Sequence, residues 1–406
     1  MGAHEHEEIV IIGAGIAGLG VAMALRRAGI GGFTIIERSG GLGGVWHAND
    51  YPGMVTDRPS MNYQFSFARN PDWTAIFPAR DEVLAYLHHC AESYRLRSAL
   101  RLRTEVTGVR RDERDDCWRL ELDGGKSTVT TRYVIDARGS CGPPRIPAFA
   151  DPAAFRGETV HTRDWSRDRD VTGQRVAVIG TGPAAVQLIP ELAGTAARLY
   201  VFQRSPIWVL PKPTHIVPMW WRTALVRVPG MGVMLFRVVA ALLALLSAGF
   251  RHRSAVVLGP IATALGRAYL WSRVRDRELR RALTPAEPMG RRRPTLSNRY
   301  HRCFTRPEVE LVTTAIDRLG PAGVRTIDGR LREIDLLVLA TGFEPATGEP
   351  GSGSPRPGYF TLAGPSSWGG SRHETVETEA QFIVGALTAR TAGAATVTST
   401  GTRVGR

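Results

Sequence analysis

Glu8-Ile9-Val10-Ile11-Ile12 is a short, β-rich apolar run, and it predicts a buried strand. Glycines follow at once, in Gly13-Ala14-Gly15-Ile16-Ala17-Gly18. Apolar positions from Leu19 to Ala28 then recur at helical spacing, and Phe33 to Ile36 predicts a second strand that stops at Glu37. The same order returns from Arg175. Val176 to Ile179 is the strand, and Gly180-Thr181-Gly182-Pro183-Ala184-Ala185 is the turn, with Ala in the third glycine's place. A helical pattern runs to about Ala193, and Arg198 to Phe202 is the next strand, ending in Gln203-Arg204-Ser205. Residues 211–290 carry many apolar positions suited to a helical insertion, whereas Glu344 to Gly358 is rich in Pro, Gly and Ser and reads as a loop.

Strand, glycine turn, helix, strand and closing side chain in this order form a dinucleotide-binding unit. Gly13 permits the tight turn, Gly15 lets the backbone approach a pyrophosphate, and Gly18 lets helix and strand pack closely. The helix N-terminus then offers unpaired N–H groups to the phosphates. Glu37 lies 24 residues after Gly13, and Arg204 lies 24 residues after Gly180. A carboxylate suits a free ribose 2′-hydroxyl, and a guanidinium suits a 2′-phosphate, so the first unit is expected to bind FAD and the second NADPH. The expected fold is α/β, with two Rossmann-like dinucleotide-binding domains (FAD and NADP) and a helical insertion in the NADP domain. The division expected is 1–150 for the first part of the FAD domain, 151–170 for a linker, 171–210 and 291–338 for the NADP domain around the 211–290 insertion, and 339–406 for a shortened second part of the FAD domain.

Composition removes several other functions. The 406 residues carry a net charge of +14, but the Arg is scattered along the whole length without a basic block interleaved with aromatics, so no nucleic-acid partner is expected. Cys90, Cys117, Cys141 and Cys303 form no Cys-x-x-Cys pair. That disfavours a zinc site, a disulfide framework and a redox dithiol, and it fits a reducing cytoplasmic compartment. With a strand starting near Glu8, no cleavable leader is expected. Val228 to Phe250 is apolar apart from Arg237, but its longest uncharged stretch, Val238 to Phe250, is too short to span a bilayer. Two readings stay open for it: a helix buried against the rest of the protein, or a membrane-peripheral amphipathic helix.

Between the two units lies Phe155-Arg156-Gly157-Glu158-Thr159-Val160-His161-Thr162-Arg163-Asp164-Trp165. It resembles the F-x-G-x-x-x-H-x-x-x-W fingerprint of Baeyer–Villiger monooxygenases, a branch of the class B flavin monooxygenases. The related N- and S-oxygenating enzymes typically carry Tyr where this chain has Trp165. A second family pattern, G-x-W-x-x-x-x-[F/Y]-P-x-x-x-x-D, is matched by Gly44, Trp46, Tyr51, Pro52 and Asp57. Leu339-Ala340-Thr341-Gly342-Phe343 resembles the family's late A-T-G-[F/Y] motif. Asp136-Ala137-Arg138-Gly139 resembles its earlier A-T-G crossing, with Arg138 in place of Thr.

The resemblance implies insertion of one oxygen of O2 next to a carbonyl by way of a C4a-peroxyflavin, with a ketone or aldehyde as substrate. It implies that Arg292, in Gly290-Arg291-Arg292-Arg293, holds the 2′-phosphate together with Arg204 and Ser205. It implies that Arg293 sits beside the flavin with Asp57 as its carboxylate partner, in a register open by one residue. His161 is then expected to link the two nucleotide domains rather than to act chemically. Only 63 residues follow Phe343, fewer than the family usually has there.

Overall fold

A computed structural model describes residues 4–139, 141–213, 234, 255–289, 294–344, 357–362 and 372–391. Two sheets, one mixed and one parallel, organise the chain. The first contains β1 (His4–Ile12), β2 (Phe33–Ile36), β3 (Leu100–Arg101), β4 (Val106–Asp112), β5 (Cys117–Leu122), β6 (Ser127–Asp136) and β17 (Tyr359–Thr361). Its order is β3-β2-β1-β6-β5-β4, and β17 pairs with β6 beyond the end of β5. Strands β3, β2, β1, β6 and β17 are parallel, while β4, β5 and β6 form an antiparallel meander.

Both faces of β1 are covered, which is why it reads as an unbroken apolar run rather than an alternating one. Ile9 and Ile11 pack under α1 (Ile16–Arg27), α3 (Arg80–Ser93) and α8 (Arg372–Thr391). Val10 and Ile12 pack against Trp118, Leu120 and Leu122 of the meander. α8 lies directly on α1, where a Cβ on Gly20 would come 2.6 Å from Val376 Cγ1. Glu377 fixes that helix by accepting from the N–H and the hydroxyl of Ser66, both at 2.6 Å.

The second sheet has the order β12-β9-β8-β16-β7 and is parallel throughout. Its strands are β7 (Glu158–His161), β8 (Arg175–Ile179), β9 (Arg198–Phe202), β12 (Val309–Val312) and β16 (Leu336–Leu339). One face packs on α4 (Pro183–Leu192), α5 (Ala255–Arg273), α6 (Arg277–Leu283) and α7 (Tyr300–Cys303). The other packs on β13 (Ile316–Gly320), β14 (Gly323–Thr326) and β15 (Leu331–Glu333). A two-stranded ribbon of β10 (Val209–Leu210) and β11 (Thr295–Leu296) leads into and out of the insertion.

The stretch 151–170, expected as a linker carrying the fingerprint, contains a strand: Glu158–His161 pair in register with Leu336–Leu339 at the edge of the second sheet. Phe149 and Ala150 already pack in the core of that sheet. Four residues carry too little periodicity to announce a strand, and the pairing partner lies about 180 positions away. Of the insertion, α5 and α6 are seen, and no helix among the described residues is long and apolar enough to cross a membrane. Apart from Met234, Val228 to Phe250 lies outside the described residues, as do Gly364 to Ser366 and nearly all of 344–358.

Candidate functional site

The first glycine turn is held from three sides. Gly13 has φ +102° and its N–H donates to Ile36 O at 2.8 Å, so the turn is tied to β2. A Cβ on Gly18 would overlap the Gly13 carbonyl oxygen, so α1 can start this close to β1 only with glycine there. Gly44, at the start of α2 (Val45–Ala48), lies against Gly15, where a Cβ would come 2.9 Å from the Gly15 Cα.

Glu37 closes the turn. It is 7% exposed; one carboxylate oxygen accepts from Ala14 N at 2.8 Å, the other from Ser39 N and Oγ, each at 2.8 Å. A cavity of about 830 Å³ starts at this turn. Gly13, Gly15, Glu37, Gly44, Asn49, Arg138, Arg163 and Phe343 are among the residues that line it. Trp46 does not line it. Its ring is buried in the first core and its Nε1 donates to Tyr63 OH at 2.9 Å, while Val45 and Ala48 beside it face the cavity.

Arg138, the departure from the family motif, finds a local partner. Its Nε and Nη2 donate to the two oxygens of Asp136 at 2.9 and 2.5 Å, and Tyr359 OH donates to the same carboxylate at 2.8 Å. This hydrogen bonding holds the Arg138 guanidinium above its usual range, and burial pushes the Tyr359 phenol up.

The second turn repeats the first with one change. Gly180 has φ +121° and packs on the Ala340 carbonyl, as Gly13 packs on Ala137. Among the described residues nothing lies within 4 Å of a Cβ built on Gly182, so that face of the turn is open to them. Ala185 is fully buried, and α4 tolerates its methyl where α1 cannot tolerate one at Gly18. Thr181 Oγ1 donates to Ser205 O at 2.9 Å and ties the turn to the end of β9. Arg204 is exposed and, with Ser205, Trp208 and Glu287, lines a separate cavity of about 290 Å³.

The fingerprint residues sit where the chain crosses between the sheets. Phe155 covers Gly157, where a Cβ would meet both the Phe155 ring and Asp335 O. Trp165 is buried in the second core with the Arg169 guanidinium over its ring at 5.6 Å, and Arg169 is itself paired with Glu158. His161, at the end of β7, is 4% exposed; its Nε2 is 3.0 Å from Gly342 O and its Nδ1 accepts from Arg163 N at 3.2 Å. The Arg163 N–H requires Nδ1 to be the acceptor, so Nε2 carries the proton and donates. Burial holds this imidazole below its usual value.

The loop after α2 bridges the sheets. Tyr51 OH donates to Gln187 Oε1 of α4, and Gln187 Nε2 donates back to Val55 O, both at 3.0 Å. Asp57 ends this loop and is exposed. Arg292 and Arg293 lie outside the described residues. Sequence reasoning missed Lys212, Asn298 and Gln187 in this region; each stands in no motif, and only the packing of the two sheets brings them together. Among the described residues no group of His, Cys, Asp and Glu could hold a metal ion.

A family model described as pyridine nucleotide-disulphide oxidoreductase matches residues 10–225. The chain is similar to a Baeyer–Villiger monooxygenase of Pseudomonas aeruginosa, 35% identical over 341 residues that cover 84% of this chain and 64% of that protein. It is 40% identical over 342 residues to an uncharacterized monooxygenase of Mycobacterium tuberculosis, covering 83% of this chain and 67% of the other. The chain thus spans about two thirds of the length of these relatives. Among solved structures, oxidized steroid monooxygenase bound to NADP superposes with a TM-score of 0.80 at 27% identity, over 96% of this chain and 86% of the other. A complex of OTEMO with FAD and NADP gives 0.84 at 25% identity, over 95% and 86%. By its two glycine turns and these matches, the chain belongs to the pyridine nucleotide-disulphide oxidoreductase family, and it is similar to flavin monooxygenases, Baeyer–Villiger monooxygenases among them.

Proposed function

We propose that this chain is an NADPH-consuming flavin monooxygenase that inserts one oxygen atom of O2 beside a carbonyl carbon, turning a ketone into an ester or lactone. One observation supports the reading: a cavity of about 830 Å³ is lined both by the Glu37-closed turn and by Arg163 and Phe343 of the crossing, and Arg204 at the second turn lines a separate cavity of about 290 Å³.

The residues present fit the two cofactors. Gly13, Gly15 and Gly44 leave backbone bare where a pyrophosphate must come close, and the α1 N-terminus supplies N–H donors. Glu37 accepts from donors on both oxygens and keeps acceptor capacity for a ribose hydroxyl. Gly182 leaves open space among the described residues at the second turn, and Arg204 and Ser205 line the neighbouring cavity, which supports their assignment to a 2′-phosphate. Bound FAD would accept hydride from NADPH and activate O2.

The chain's own residues then orient and stabilise. Arg293 is assigned to the negative charge that develops on the reacting oxygen, with Asp57 holding its guanidinium and Arg292 on the 2′-phosphate. His161 acts as a hinge pin, since its ring bonds the crossing strand at Gly342 and is held neutral there. Phe155, Gly157 and Trp165 shape the same crossing by packing.

The test is anaerobic reduction with NADPH followed by labelled O2 and a panel of ketones, aldehydes, amines and sulfides. The expected product is an ester or lactone heavier than its parent ketone by one labelled oxygen. Flavin that is reduced and reoxidised while every substrate is recovered unchanged sinks the reading. Oxygenation of amines or sulfides alone makes the chain an N- or S-oxygenase instead.

A further inference from the structure

Lysine is almost absent from this chain: of 52 Lys and Arg residues, only Lys126 and Lys212 are lysines. Lys126 is exposed in the turn between β5 and β6. Lys212 is half-buried, two residues beyond β10, and its position is built. Its backbone N–H donates to Asn298 Oδ1 at 3.0 Å, and its C=O accepts from Asn298 Nδ2 at 2.7 Å. Tyr269 OH of α5 donates to the neighbouring Ser297 O at 2.8 Å and steadies that turn. With its backbone fixed on the second-sheet side, the Lys212 side chain reaches the first-sheet side. Nζ lies 5.1 Å from the centroid of the buried Phe77 ring, and Asp57 is the carboxylate that acts on it electrostatically.

Asp57 ends the loop that α4 already grips through Gln187, so a second element of the NADP unit acts on the same loop. We propose that Lys212 is a positioning residue of the two-nucleotide cleft: its ammonium, anchored beside Asn298, sits over the Phe77 ring within the field of the Asp57 carboxylate and sets the closed spacing between the FAD and NADP units. This deepens the reading above and rests on it for the identity of the two nucleotides.

A lysine suits this task in a way an arginine does not. An ammonium is a compact charge whose proton can leave when buried, whereas a guanidinium stays charged. Burial brings the Lys212 amine down to about 8, and Asp57 opposes that by favouring the ammonium. The other groups facing this contact are Tyr51, whose phenol is pushed up by burial and by Asp57, and Arg299 next to Asn298, which is paired with Glu191 at 2.6 Å. The latch is therefore charged below about pH 8 and released as pH rises through that value.

The scarcity of lysine makes the test direct. Reductive methylation of the FAD-loaded chain with 13C-formaldehyde labels the two lysines and the α-amine, and the K212R variant assigns the Lys212 resonance. That resonance is expected to titrate near pH 8, and at lower pH in D57N. In anaerobic flavin reduction by NADPH, the wild type is expected to slow above about pH 8 and K212R to keep its rate there. K212M is expected to be slower than the wild type below about pH 8, on the order of tenfold to hundredfold, and to converge with it above that pH. A resonance that titrates in the ordinary lysine range and ignores D57N, or a K212M protein reduced at the wild-type rate below that pH, overturns the assignment. The labelled-O2 experiment is separate: if Lys212 behaves as expected but no substrate gains oxygen, the latch stands and the monooxygenase reading fails.

Discussion

The carboxylate of Glu37 accepts a 2.8 Å hydrogen bond from the backbone N–H of Ala14, so the end of β2 closes the glycine turn at the end of β1. Replacing Glu37 with Ala leaves the Ala14 N–H without its acceptor and removes the acceptor expected for the ribose. A hydrogen bond to a charged group is worth about 1.5–3 kcal/mol, so FAD is expected to bind about 10- to 100-fold more weakly. Titration of the apoprotein with FAD reads this, and an unchanged affinity would remove Glu37 from the site.

Gly18 and Gly182 separate a steric need from a ligand need. A methyl at Gly18 overlaps the Gly13 carbonyl, so Gly18→Ala is expected to yield poorly folded, colourless protein. A methyl at Gly182 meets no protein atom within 4 Å. Gly182→Ala should therefore keep its thermal stability to within about 0.5 kcal/mol. Its KM for NADPH should nonetheless rise at least severalfold. Normal NADPH use by that variant would place the pyridine nucleotide elsewhere.

Arg204 is the exposed cation at the end of β9. Arg204→Ala is expected to raise the KM for NADPH about 10- to 100-fold and to leave NADH nearly unaffected, because only the former carries a 2′-phosphate. Paired kinetics with the two nucleotides decide it, and an equal loss with both counts against the clamp.

Arg293→Ala is expected to retain bound FAD and to lose about 10²–10³ in oxygenation rate, the usual effect of deleting one preorganised electrostatic contact. Flavin absorbance and product formation, measured on one preparation, separate the two properties.

Acid should loosen the second sheet through His301. Burial and then the nearby Arg273 lower this imidazole from 6.5 to about 4, and among the described residues its Nδ1 has no hydrogen-bond partner. The unfolded chain therefore binds a proton that the folded chain refuses between pH 6.5 and about 4. Stability rises with pH across that window and is lost as pH falls, by up to about 1.4 kcal/mol per unit for one proton. Melting curves should show this slope, shared by His161, and His301→Leu should flatten it.

Local features were legible and distant ones were not. The strand, turn and helix of each unit could be read because apolar period, glycine spacing and the closing residue all fall within about thirty neighbours. Glu37 stands at the end of β2 and Arg204 just beyond β9, as that order requires. β7 escaped as a strand, since its four residues gain their meaning from β16. The fingerprint located His161, but its bond to Gly342 spans 181 positions.

The sequence by itself therefore determined two nucleotide turns and the charge that closes each, because a tight turn and a phosphate contact depend on the residues that make them. Only the tertiary structure decided that Gln187 grips the 51–57 loop, that Lys212 lies over the Phe77 ring, that α8 covers α1, and that Trp46 turns into a core beside the cavity. Those contacts join elements distant along the chain, and their energy exists only once two separately formed sheets have packed against each other.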